Sequence, residues 1–286
     1  MKILVFGKTG QVARALTDAA PAHGVDLVML DRRMADLSAP ESCARLIAET
    51  DADAVINAAA WTAVDAAEEA EADATVVNAA APGAMAAAAA ARDLPFIHIS
   101  TDYVFSGAEG PAWKPDDPTA PLGAYGRSKL AGEQTVMAAN GNAVILRTAW
   151  VFDADGKNFV TTMLRLGQTH PTLRVVADQF GGPTPASAIA DACLRIAQAL
   201  HDGVGQPGIY HFSGAPDINW AGFARAIFAR SGQDVTVADI TTADYPTPAM
   251  RPANSRLDCT SLKTAFGIDR PDWAAALDQI IKEPSS

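Results

Sequence analysis

Short apolar runs alternate with longer helical stretches through the first half of this chain, and this alternation restricts its fold more than any other feature. The runs are rich in β-branched residues and mostly apolar, as is typical of strands buried on both faces of a sheet. Because a helical stretch separates each pair, we expect parallel strands joined by βαβ crossovers, which predicts an α/β fold with a doubly wound parallel sheet. The predicted strands are Ile3–Phe6, Leu27–Leu30, Ala54–Asn57, Phe96–Ser100 and Ala143–Thr148, and the predicted helices are Gln11–Ala20, Pro40–Thr50, Ala72–Arg92 and Ser128–Ala139.

The pattern is looser after about residue 150, where prolines cluster and short strands separate the helical stretches. We predict a first domain over residues 1–150 and a smaller α+β lobe over residues 151–286. A segment near residues 185–215 is expected to return to the first domain. In this half the predicted helices are Asn158–Thr169, Ser187–Leu200 and Trp220–Ser231, and one predicted strand is Gly208–Phe212.

The charge and composition of the chain argue against several classes of function. Its 286 residues include 22 Lys and Arg against 33 Asp and Glu, a net charge of −11, without the basic stripe that nucleic-acid binding needs. The three cysteines and five histidines show no metal-ligand spacing, so we expect no metal site. No apolar stretch approaches the ~20 residues of a membrane-spanning helix, and no secretory signal pattern opens the chain. We therefore expect a cytoplasmic protein that binds neither nucleic acid nor a membrane.

A glycine-rich turn follows the first predicted strand and opens the first predicted helix. Its spacing, G-x-x-G-x-x-A, runs from Gly7 through Gly10 to Ala13. Glycine lets the backbone approach a pyrophosphate, and a helix N-terminus presents amide N–H groups to it. A strand–turn–helix of this kind predicts a dinucleotide site of the Rossmann type. The residues expected to contact the cofactor here are Gly7, Thr9, Gly10, Gln11 and Val12.

The residues after the second predicted strand bear on the choice of cofactor. Asp31 lies about twenty residues beyond the glycine turn, where an acid would bind an adenosine ribose. Arg32 and Arg33 follow, and would instead favour the 2′-phosphate of NADP. The cofactor is therefore predicted to be NADPH or NADH, with the preference left open.

Tyr125 and Lys129 are four residues apart, which places both on one face of a helix. A nearby cation lowers the pKa of a phenol, which would suit Tyr125 to proton transfer nearer neutral pH. Ser100 and Thr101 end the fourth predicted strand, at the sheet edge where ligands of open α/β sheets bind. A hydroxyl there could bind the same substrate oxygen that Tyr125 protonates.

Together these motifs resemble the extended short-chain dehydrogenase/reductase family and, within it, the dTDP-4-dehydrorhamnose reductases. The resemblance covers nearly the whole chain in order, so it is more specific than any single motif. Besides the glycine turn and the Tyr125/Lys129 pair, the matching segments are residues 57–60, 62–65, 100–105, 129–133, 147–151, 158–159, 178–184, 210–211, 245–249, 251–252 and 254–257.

The resemblance implies reduction of dTDP-4-dehydro-β-L-rhamnose to dTDP-β-L-rhamnose by NAD(P)H. Tyr125 would donate the proton to the oxygen at C4, Thr101 would hydrogen-bond that oxygen, and Lys129 would lower the tyrosine pKa and hold the nicotinamide ribose. The later lobe would bind the substrate. The cofactor contacts implied besides the glycine turn are Asp31, Arg32, Asp36, Leu37, Asn57, Ala58, Ala59 and Lys129.

Five further residues are expected to contact the substrate. Asp102 and Tyr103 follow Thr101 and would face the sugar hydroxyls. Trp150 would pack on the sugar or the nucleotide, unless it is simply a core tryptophan. Arg251 and Arg256 are candidates for the pyrophosphate, since a guanidinium binds phosphate bidentately, but each could instead pair with surface acids.

Two departures from the family pattern affect assembly more than chemistry. Ala13 replaces a common glycine, which should not abolish binding. Ala15 occupies a place where several relatives carry a glutamate used in a metal-linked dimer contact. Asp191 alone would not complete such a site. We therefore expect a monomer or a metal-independent homodimer.

Two other functions stay open from the sequence. The first is another nucleotide-sugar enzyme on this fold, a 4-epimerase or a 4,6-dehydratase, although dehydratases typically place Asp-Glu after the threonine and this chain has Asp102-Tyr103. The second is a nucleotide-binding regulatory subunit without turnover. Intact Thr101, Tyr125 and Lys129 argue against the latter.

Overall fold

Six parallel strands form the central sheet, in the order Asp26–Leu30, Lys2–Phe6, Ala54–Asn57, Phe96–Thr101, Ala143–Thr148 and Gly208–His211. This computed structural model describes residues 1–139 and 141–282. The predicted doubly wound parallel sheet is confirmed. The strands are β1 (Lys2–Phe6), β2 (Asp26–Leu30), β3 (Ala54–Asn57), β4 (Phe96–Thr101), β5 (Ala143–Thr148), β6 (Val151–Phe152), β7 (Thr172–Val176), β8 (Phe180–Gly181), β9 (Thr184–Pro185), β10 (Gly208–His211), β11 (Ile218–Asn219), β12 (Thr236–Ile240) and β13 (Asn254–Ser255). The α-helices are α1 (Gln11–His23), α2 (Pro40–Glu49), α3 (Val64–Ala67), α4 (Glu71–Thr75), α5 (Ala81–Ala90), α6 (Ala124–Ala138), α7 (Phe159–Gly167), α8 (Ala186–His201), α9 (Trp220–Ser231), α10 (Thr260–Phe266) and α11 (Trp273–Lys282).

The strand order reverses between β1 and β3, which defines where a ligand can bind. The chain passes from β1 to β2 on one side, then crosses to β3 on the other. The loops after β1 and β3 therefore leave the sheet in opposite directions, and a crevice opens at the carboxyl ends of the strands.

Helices cover both faces of the sheet, because alternate residues of each strand point to opposite sides. Ile3 and Val5 of β1 pack under α1 and α8, whereas Leu4 and Phe6 pack under α2 and α5. All four side chains are at most 4% exposed. Burial on both faces explains why these strands are apolar without alternation.

Helix α6 begins earlier than the sequence predicted, at Ala124 instead of Ser128. The reason is a contact with a distant segment: the Glu68 carboxylate accepts a hydrogen bond from the Ala124 N–H at 2.9 Å.

The predicted helix Ala72–Arg92 is interrupted by a π-helical turn over Val76–Ala80. Buried Asn78 in this turn bonds to Trp61 and Ser128.

The second half of the chain contributes to the sheet as well as forming its own core. Strand β10 pairs with β5, and α8 packs on α1. Helices α7, α9 and α11 and strands β7 and β12 instead form a separate apolar cluster. Strands β7 and β12 form a parallel pair, β6 pairs with β9, and β8 lies between β11 and β13. Among residues 1–139 and 141–282, no helix combines the length and apolarity that spanning a bilayer requires.

Candidate active site

A cleft of about 530 Å³ lies at the carboxyl ends of the central strands. It brings together loops that follow four different strands, as expected for a ligand site at the reversal of strand order. The residues that line it are Thr9, Gly10, Gln11, Val12, Arg14, Asn57, Ala58, Ala59, Ala60, Thr62, Val64, Ile99, Ser100, Thr101, Asp102, Tyr103, Tyr125, Lys129, Thr148, Ala149, Trp150, Val151, Gly156 and Lys157.

The glycine turn leaves the start of α1 open to the cleft. Gly7 has a φ of 110°, and a Cβ there would lie 3.2 Å from the Ala58 carbonyl carbon. Gly10 precedes the helix and has no side chain to cap it, and a Cβ at Gly10 would meet nothing within 4 Å. The N–H groups of the first turn are therefore left for a ligand, and the helix dipole favours an anion there.

Thr101 and Tyr125 both line the cleft and lie within hydrogen-bond reach of each other. The Thr101 hydroxyl donates to Asp102 Oδ1 at 3.1 Å and accepts from the Tyr103 N–H at 3.2 Å. Burial raises the pKa of Tyr125 to about 12, the Thr101 hydrogen bond opposes this, and the Asp102 charge adds to it. Tyr125 is therefore held in its protonated form. The expectation of a lowered tyrosine pKa is wrong for this structure, because desolvation of the buried phenol raises the pKa.

Gly126 explains how the tyrosine comes so close to the end of β4. Any Cβ at this position would collide with the Tyr103 carbonyl oxygen. Helix α6 can therefore press against the turn at 102–104, and the Tyr103 and Tyr125 rings meet edge to face with centroids 5.5 Å apart. Gly126 is part of the family resemblance in the sequence, but the close packing that it allows was not predicted.

Lys129 lies one helical turn beyond Tyr125 and is 1% exposed. Its Nζ donates to the Ile99 carbonyl at 2.8 Å and lies 3.2 Å from His98 Nε2. Burial lowers the pKa of Lys129 to about 8, although the Glu133 charge partly opposes the shift. The midpoint of ionisation of this amine therefore lies near pH 8 instead of above pH 10, and the amine is mainly protonated at neutral pH.

Asp102 and Tyr103 lie beside the catalytic candidates, as predicted. Burial raises the pKa of Asp102 to about 6. Hydrogen bonds to its carboxyl group lower the pKa and so oppose part of this shift. Burial also raises the pKa of Tyr103. A carboxyl group in this position is readily protonated, and it faces the same space as the Thr101 hydroxyl.

Trp150 forms a wall of the cleft in an unusual backbone conformation, with a φ of 51°. Its ring stacks on Trp220 of α9, with centroids 3.5 Å apart and planes 11° apart. A bulky residue with positive φ is strained and persists only where the surrounding structure holds it. The indole is therefore a fixed surface of the cleft.

Five predicted cofactor contacts are not among the residues that line this cleft: Gly7, in the turn beside it, and four residues after β2. Asp31 Oδ1 accepts the N–H groups of Arg33 and Met34, so part of its carboxylate closes a turn. The Arg32 side chain is 85% exposed and lies 3.6 Å from Asp36. A hydrogen bond from the Ser38 N–H is the main cause that lowers the pKa of Asp36. Leu37 packs its side chain into the core. Their predicted contacts with a cofactor stay predictions.

The two arginines predicted for the pyrophosphate have partners within the chain. Arg251 Nη2 contacts both carboxylate oxygens of Asp65, at 2.8 and 2.9 Å. Arg256 donates to Asn254 Oδ1 at 2.9 Å and to the Gly110 carbonyl. Neither is among the residues that line the cleft in the described part of the chain, and their binding of a pyrophosphate stays a prediction.

The structure also brings in residues that sequence reasoning missed. The loop over residues 153–158 folds back onto the glycine turn, where the Asn158 amide donates to Gln11 Oε1 at 3.0 Å. Arg14 donates to the Thr9 and Asp155 carbonyls, and Lys157 lines the cleft beside it. Contacts between positions about 145 residues apart leave no local signal in one sequence.

Ser100 lines the cleft, but its hydroxyl is directed into the protein. It donates to Glu133 Oε1 at 2.6 Å, and Glu133 is paired with Arg147. The hydroxyl that faces a ligand at the end of β4 is therefore that of Thr101.

Asp191, considered above for a metal-linked contact between two subunits, has partners within its own chain. Asp191 lies 2.9 Å from His23 Nε2 and 3.6 Å from Arg195. Within residues 1–139 and 141–282, no group of three or more His, Cys, Asp or Glu side chains is arranged to hold a metal ion.

Comparisons with known proteins agree with this geometry. The family model for the RmlD substrate binding domain matches residues 1–286. A dTDP-4-dehydrorhamnose reductase of Burkholderia thailandensis is 44% identical over 296 residues, covering 99% of each chain. The crystal structure of a dTDP-4-dehydrorhamnose reductase from Clostridium acetobutylicum superposes with a TM-score of 0.92, at 36% identity and 99% coverage of both chains.

A second solved structure carries a cofactor. The dTDP-4-dehydrorhamnose reductase of Bacillus anthracis, in complex with NADP, superposes with a TM-score of 0.92, at 29% identity and 99% coverage of both chains. The match extends over the whole cleft and both halves of the chain. The chain therefore belongs to the RmlD substrate binding domain family, together with these dTDP-4-dehydrorhamnose reductases.

Proposed function

We propose that this protein is an oxidoreductase that reduces dTDP-4-dehydro-β-L-rhamnose to dTDP-β-L-rhamnose, using NADPH or NADH. The observation that carries the proposal is the convergence of Thr101, Tyr125 and Lys129 on one cleft, beside the open start of α1. Relatives that match the full length of the chain are reductases of this substrate.

The glycine turn fits a dinucleotide. Space above Gly10 is open, the first-turn N–H groups are free of a capping side chain, and Gly7 allows the backbone to pass close to Ala58. Thr9, Gln11 and Val12 would hold the pyrophosphate. Lys129 would hold the nicotinamide ribose through an N–H that is not used by Ile99. When bound, the cofactor supplies a hydride to the carbonyl carbon at C4 of the sugar.

The side chains of this protein supply the proton. As the C4 carbonyl gains negative charge on oxygen, Tyr125 donates its phenolic proton to that oxygen, completing the secondary alcohol. The Thr101 hydroxyl turns from Asp102 to the same oxygen and stabilises the developing charge. Holding the carbonyl between these groups supplies much of the rate enhancement through orientation.

The residues proposed to bind the substrate are chosen because their side chains match the groups that the substrate presents. Asp102 and Tyr103 would contact the sugar hydroxyls, and the fixed Trp150 indole would pack on the sugar or the nucleotide. Arg251 and Arg256 would bind the pyrophosphate after giving up some of the hydrogen bonds that they now make within the chain. We further propose that residues 151–286, apart from the segment near 185–215, act as a substrate-binding lobe. We expect a cytoplasmic monomer or metal-independent homodimer, without a nucleic-acid partner.

The test is a reductase assay on the purified protein. With dTDP-4-dehydrorhamnose and NADPH or NADH, we expect loss of the reduced nicotinamide absorbance and formation of dTDP-β-L-rhamnose, identified by NMR. UDP-glucose and dTDP-glucose serve as controls for 4-epimerase and 4,6-dehydratase activity. Conversion of either control without reduction of the ketone would overturn the proposal, and binding of nucleotides without any turnover would indicate a regulatory protein.

A further inference from the structure

At the end of β5, the hydroxyl of Thr148 is buried in the wall of the cleft. The residue is 5% exposed and is one of those that line the cleft. Its Oγ1 atom has no hydrogen-bond partner within residues 1–139 and 141–282. Buried hydroxyls in folded proteins are nearly always paired, because an unpaired one has lost its bonds to water without gaining others. An unpaired hydroxyl in a ligand cleft therefore requires an explanation.

The register of the sheet places Thr148 beside Thr101, the residue proposed to bind the reacting oxygen. The two residues are partners on the parallel strands β5 and β4. Side chains alternate along a strand, and Leu146 and Ile99, two residues earlier, both pack in the apolar cluster under α1 and α8. Thr148 and Thr101 therefore face the same side of the sheet. Their strands are about 4.8 Å apart, so the two side chains are neighbours.

The other hydroxyls at the end of β4 have partners within the chain. Ser100 Oγ donates to Glu133 at 2.6 Å, and Thr101 Oγ1 donates to Asp102 Oδ1 at 3.1 Å. In the part of the chain that the structure describes, the other buried side-chain atoms without a partner are Asp102 Oδ2 and Ser261 Oγ. Asp102 also lines the cleft, and it is already proposed to bind the sugar. Two of the three unpaired atoms thus belong to residues of the cleft.

Thr184 provides an internal comparison, because its hydroxyl is buried and paired. The residue is 0% exposed. Its Oγ1 donates to the Ala149 carbonyl at 2.7 Å and accepts the Gly214 N–H at 3.2 Å. Thr184 is not among the described residues that line the cleft. The two threonines therefore differ in one respect that matters here: the hydroxyl outside the cleft is bonded, and the one in the cleft wall is not.

We infer that Thr148 is a ligand-binding residue, whose hydroxyl pairs with an uncharged polar group of a bound ligand. Rotation about χ1 would turn its oxygen to the cleft, and this rotation breaks no hydrogen bond to the described residues. A hydroxyl can donate and accept but carries no charge, so it suits an amide or another hydroxyl. The inference rests on the reductase function proposed above, whose ligands offer one group of each kind: the nicotinamide carboxamide and the hydroxyls of the sugar.

The position of Thr148 in the sheet separates it from the phosphates of the cofactor. The glycine turn follows β1, whereas Thr148 ends β5, three strands further along the sheet. At the spacing of neighbouring strands, this is a distance of roughly 14 Å. Thr101, where the C4 oxygen of the sugar is proposed to bind, is on the adjacent strand. The groups within reach of Thr148 are therefore those next to the reacting carbon, from the nicotinamide or from the sugar ring.

Thr148→Val tests the unpaired state of the hydroxyl without any ligand. Valine has the same shape but lacks the hydroxyl, so removal of an unpaired buried group should raise the melting temperature of the ligand-free protein by roughly 2–4 °C. Thr184→Val, the matched control, removes a paired hydroxyl and should lower the melting temperature, because it leaves the Gly214 N–H without its acceptor. A similar decrease in both variants would show that the Thr148 hydroxyl is paired, and would overturn the inference.

The same variant should bind one of the two ligands more weakly. Loss of one hydrogen bond predicts a Kd about 3–10-fold higher, either for NADPH, measured by its fluorescence, or for dTDP-β-L-rhamnose, measured by calorimetry with NADP⁺ present. 2′-Phospho-ADP-ribose lacks the nicotinamide and dTDP lacks the sugar, so the Kd of each should stay unchanged. The ligand whose affinity falls, compared with its truncated form, identifies the group that Thr148 binds. Thr148→Ser keeps the hydroxyl and should bind both ligands within about twofold of the original protein, as should Thr184→Val.

An unchanged Kd for both NADPH and dTDP-β-L-rhamnose in folded Thr148→Val would overturn the inference. An equal loss of affinity for the truncated ligands would also overturn it, because the substitution would then have damaged the cleft as a whole. If Thr148→Val does not fold, comparison of Thr148→Ala with Thr148→Ser provides the same binding readouts. An original protein that binds neither ligand would refute the proposed function, whereas binding that Thr148→Val leaves unaltered refutes only the role of Thr148.

Discussion

Glu133 and Arg147 form a buried ion pair directly beneath the cleft, with Nη2 to Oε2 at 2.6 Å and Nε to Oε1 at 2.9 Å. Each side chain is 2% exposed. Breaking such a pair leaves one buried charge without compensation. Glu133→Ala should lower the free energy of unfolding by roughly 3–5 kcal/mol, measured by denaturant titration.

An exposed pair supplies the control for this prediction. Glu71 contacts Arg127 at 2.7 Å, but both side chains are more than 40% exposed. Glu71→Ala should cost only about 0–1 kcal/mol, because water and salt screen the pair. Equal losses in the two variants would show that burial does not decide the effect.

Tyr125→Phe removes the proton donor while keeping the ring. We expect kcat to fall by about 10²–10⁴-fold while cofactor binding, measured by fluorescence titration, is retained. Tyr210→Phe is the control, because its hydroxyl bonds to the Gln206 carbonyl outside the cleft. A Tyr125→Phe enzyme with more than about half of the original turnover, under conditions in which chemistry limits the rate, would refute the assignment.

The raised pKa of Asp102 predicts how stability changes with pH. A folded-state pKa of about 6, above the ordinary 3.8, means that the folded protein holds a proton that the unfolded chain releases between these values. The contribution of Asp102 to stability is therefore highest below pH 4 and falls as the pH rises towards 6, by ~3 kcal/mol in all. Asp102→Asn removes this titration.

The measurement is the free energy of unfolding of both proteins across this pH range. The difference in the free energy of unfolding between the original protein and Asp102→Asn should change steadily from pH 4 to 6 and stay level above about pH 7. A difference that is constant with pH would show that the carboxyl group is ionised throughout.

Cofactor preference is expected to be weak. Asp31 is expected to favour the unmodified ribose, and Arg32 is expected to attract a 2′-phosphate. The Arg32 side chain is exposed and lies 3.6 Å from Asp36. We expect kcat/KM for NADPH and NADH to agree within about tenfold, or 1.4 kcal/mol. Arg32→Ala should lower the value for NADPH more than that for NADH, whereas Arg45→Ala, an exposed arginine on α2, should change neither. A hundredfold preference in the original protein would show that one of these side chains is placed differently.

Chelation should leave both activity and assembly unchanged. Ala15 is packed in the core at 7% exposure, and Asp191 is paired with His23 and Arg195. With excess EDTA, we expect the same turnover and the same mass by light scattering. Dissociation together with loss of turnover would reveal a metal-linked dimer.

The sequence predicted those features that depend on local pattern. The buried strands and the Tyr125/Lys129 spacing are of this kind, because burial and helical geometry act over a few residues. It did not predict the start of α6, which Glu68 caps from a distant segment. Nor did it predict the state of the tyrosine, because desolvation depends on everything packed around the ring.

The partner of a strand is likewise a long-range property. The strand predicted over Gly208–Phe212 exists as β10, yet nothing in its residues indicates that β5 is its neighbour. The loop over residues 153–158 presents the same problem, since its contact with Gln11 joins the two halves of the chain.

The position of α8 and β10 has a consequence for synthesis on the ribosome. The face of the sheet formed by Ile3, Val5 and Ile56 is covered partly by α8, which begins ~130 residues after Ile56 and later still after the other two. Until that helix emerges, a nascent chain with all five preceding sheet strands complete still presents uncovered aliphatic side chains to water or to a chaperone. Assembly of the nucleotide-binding half must therefore wait for the second half, and a ribosome that pauses between residues 150 and 186 would expose its most aggregation-prone product.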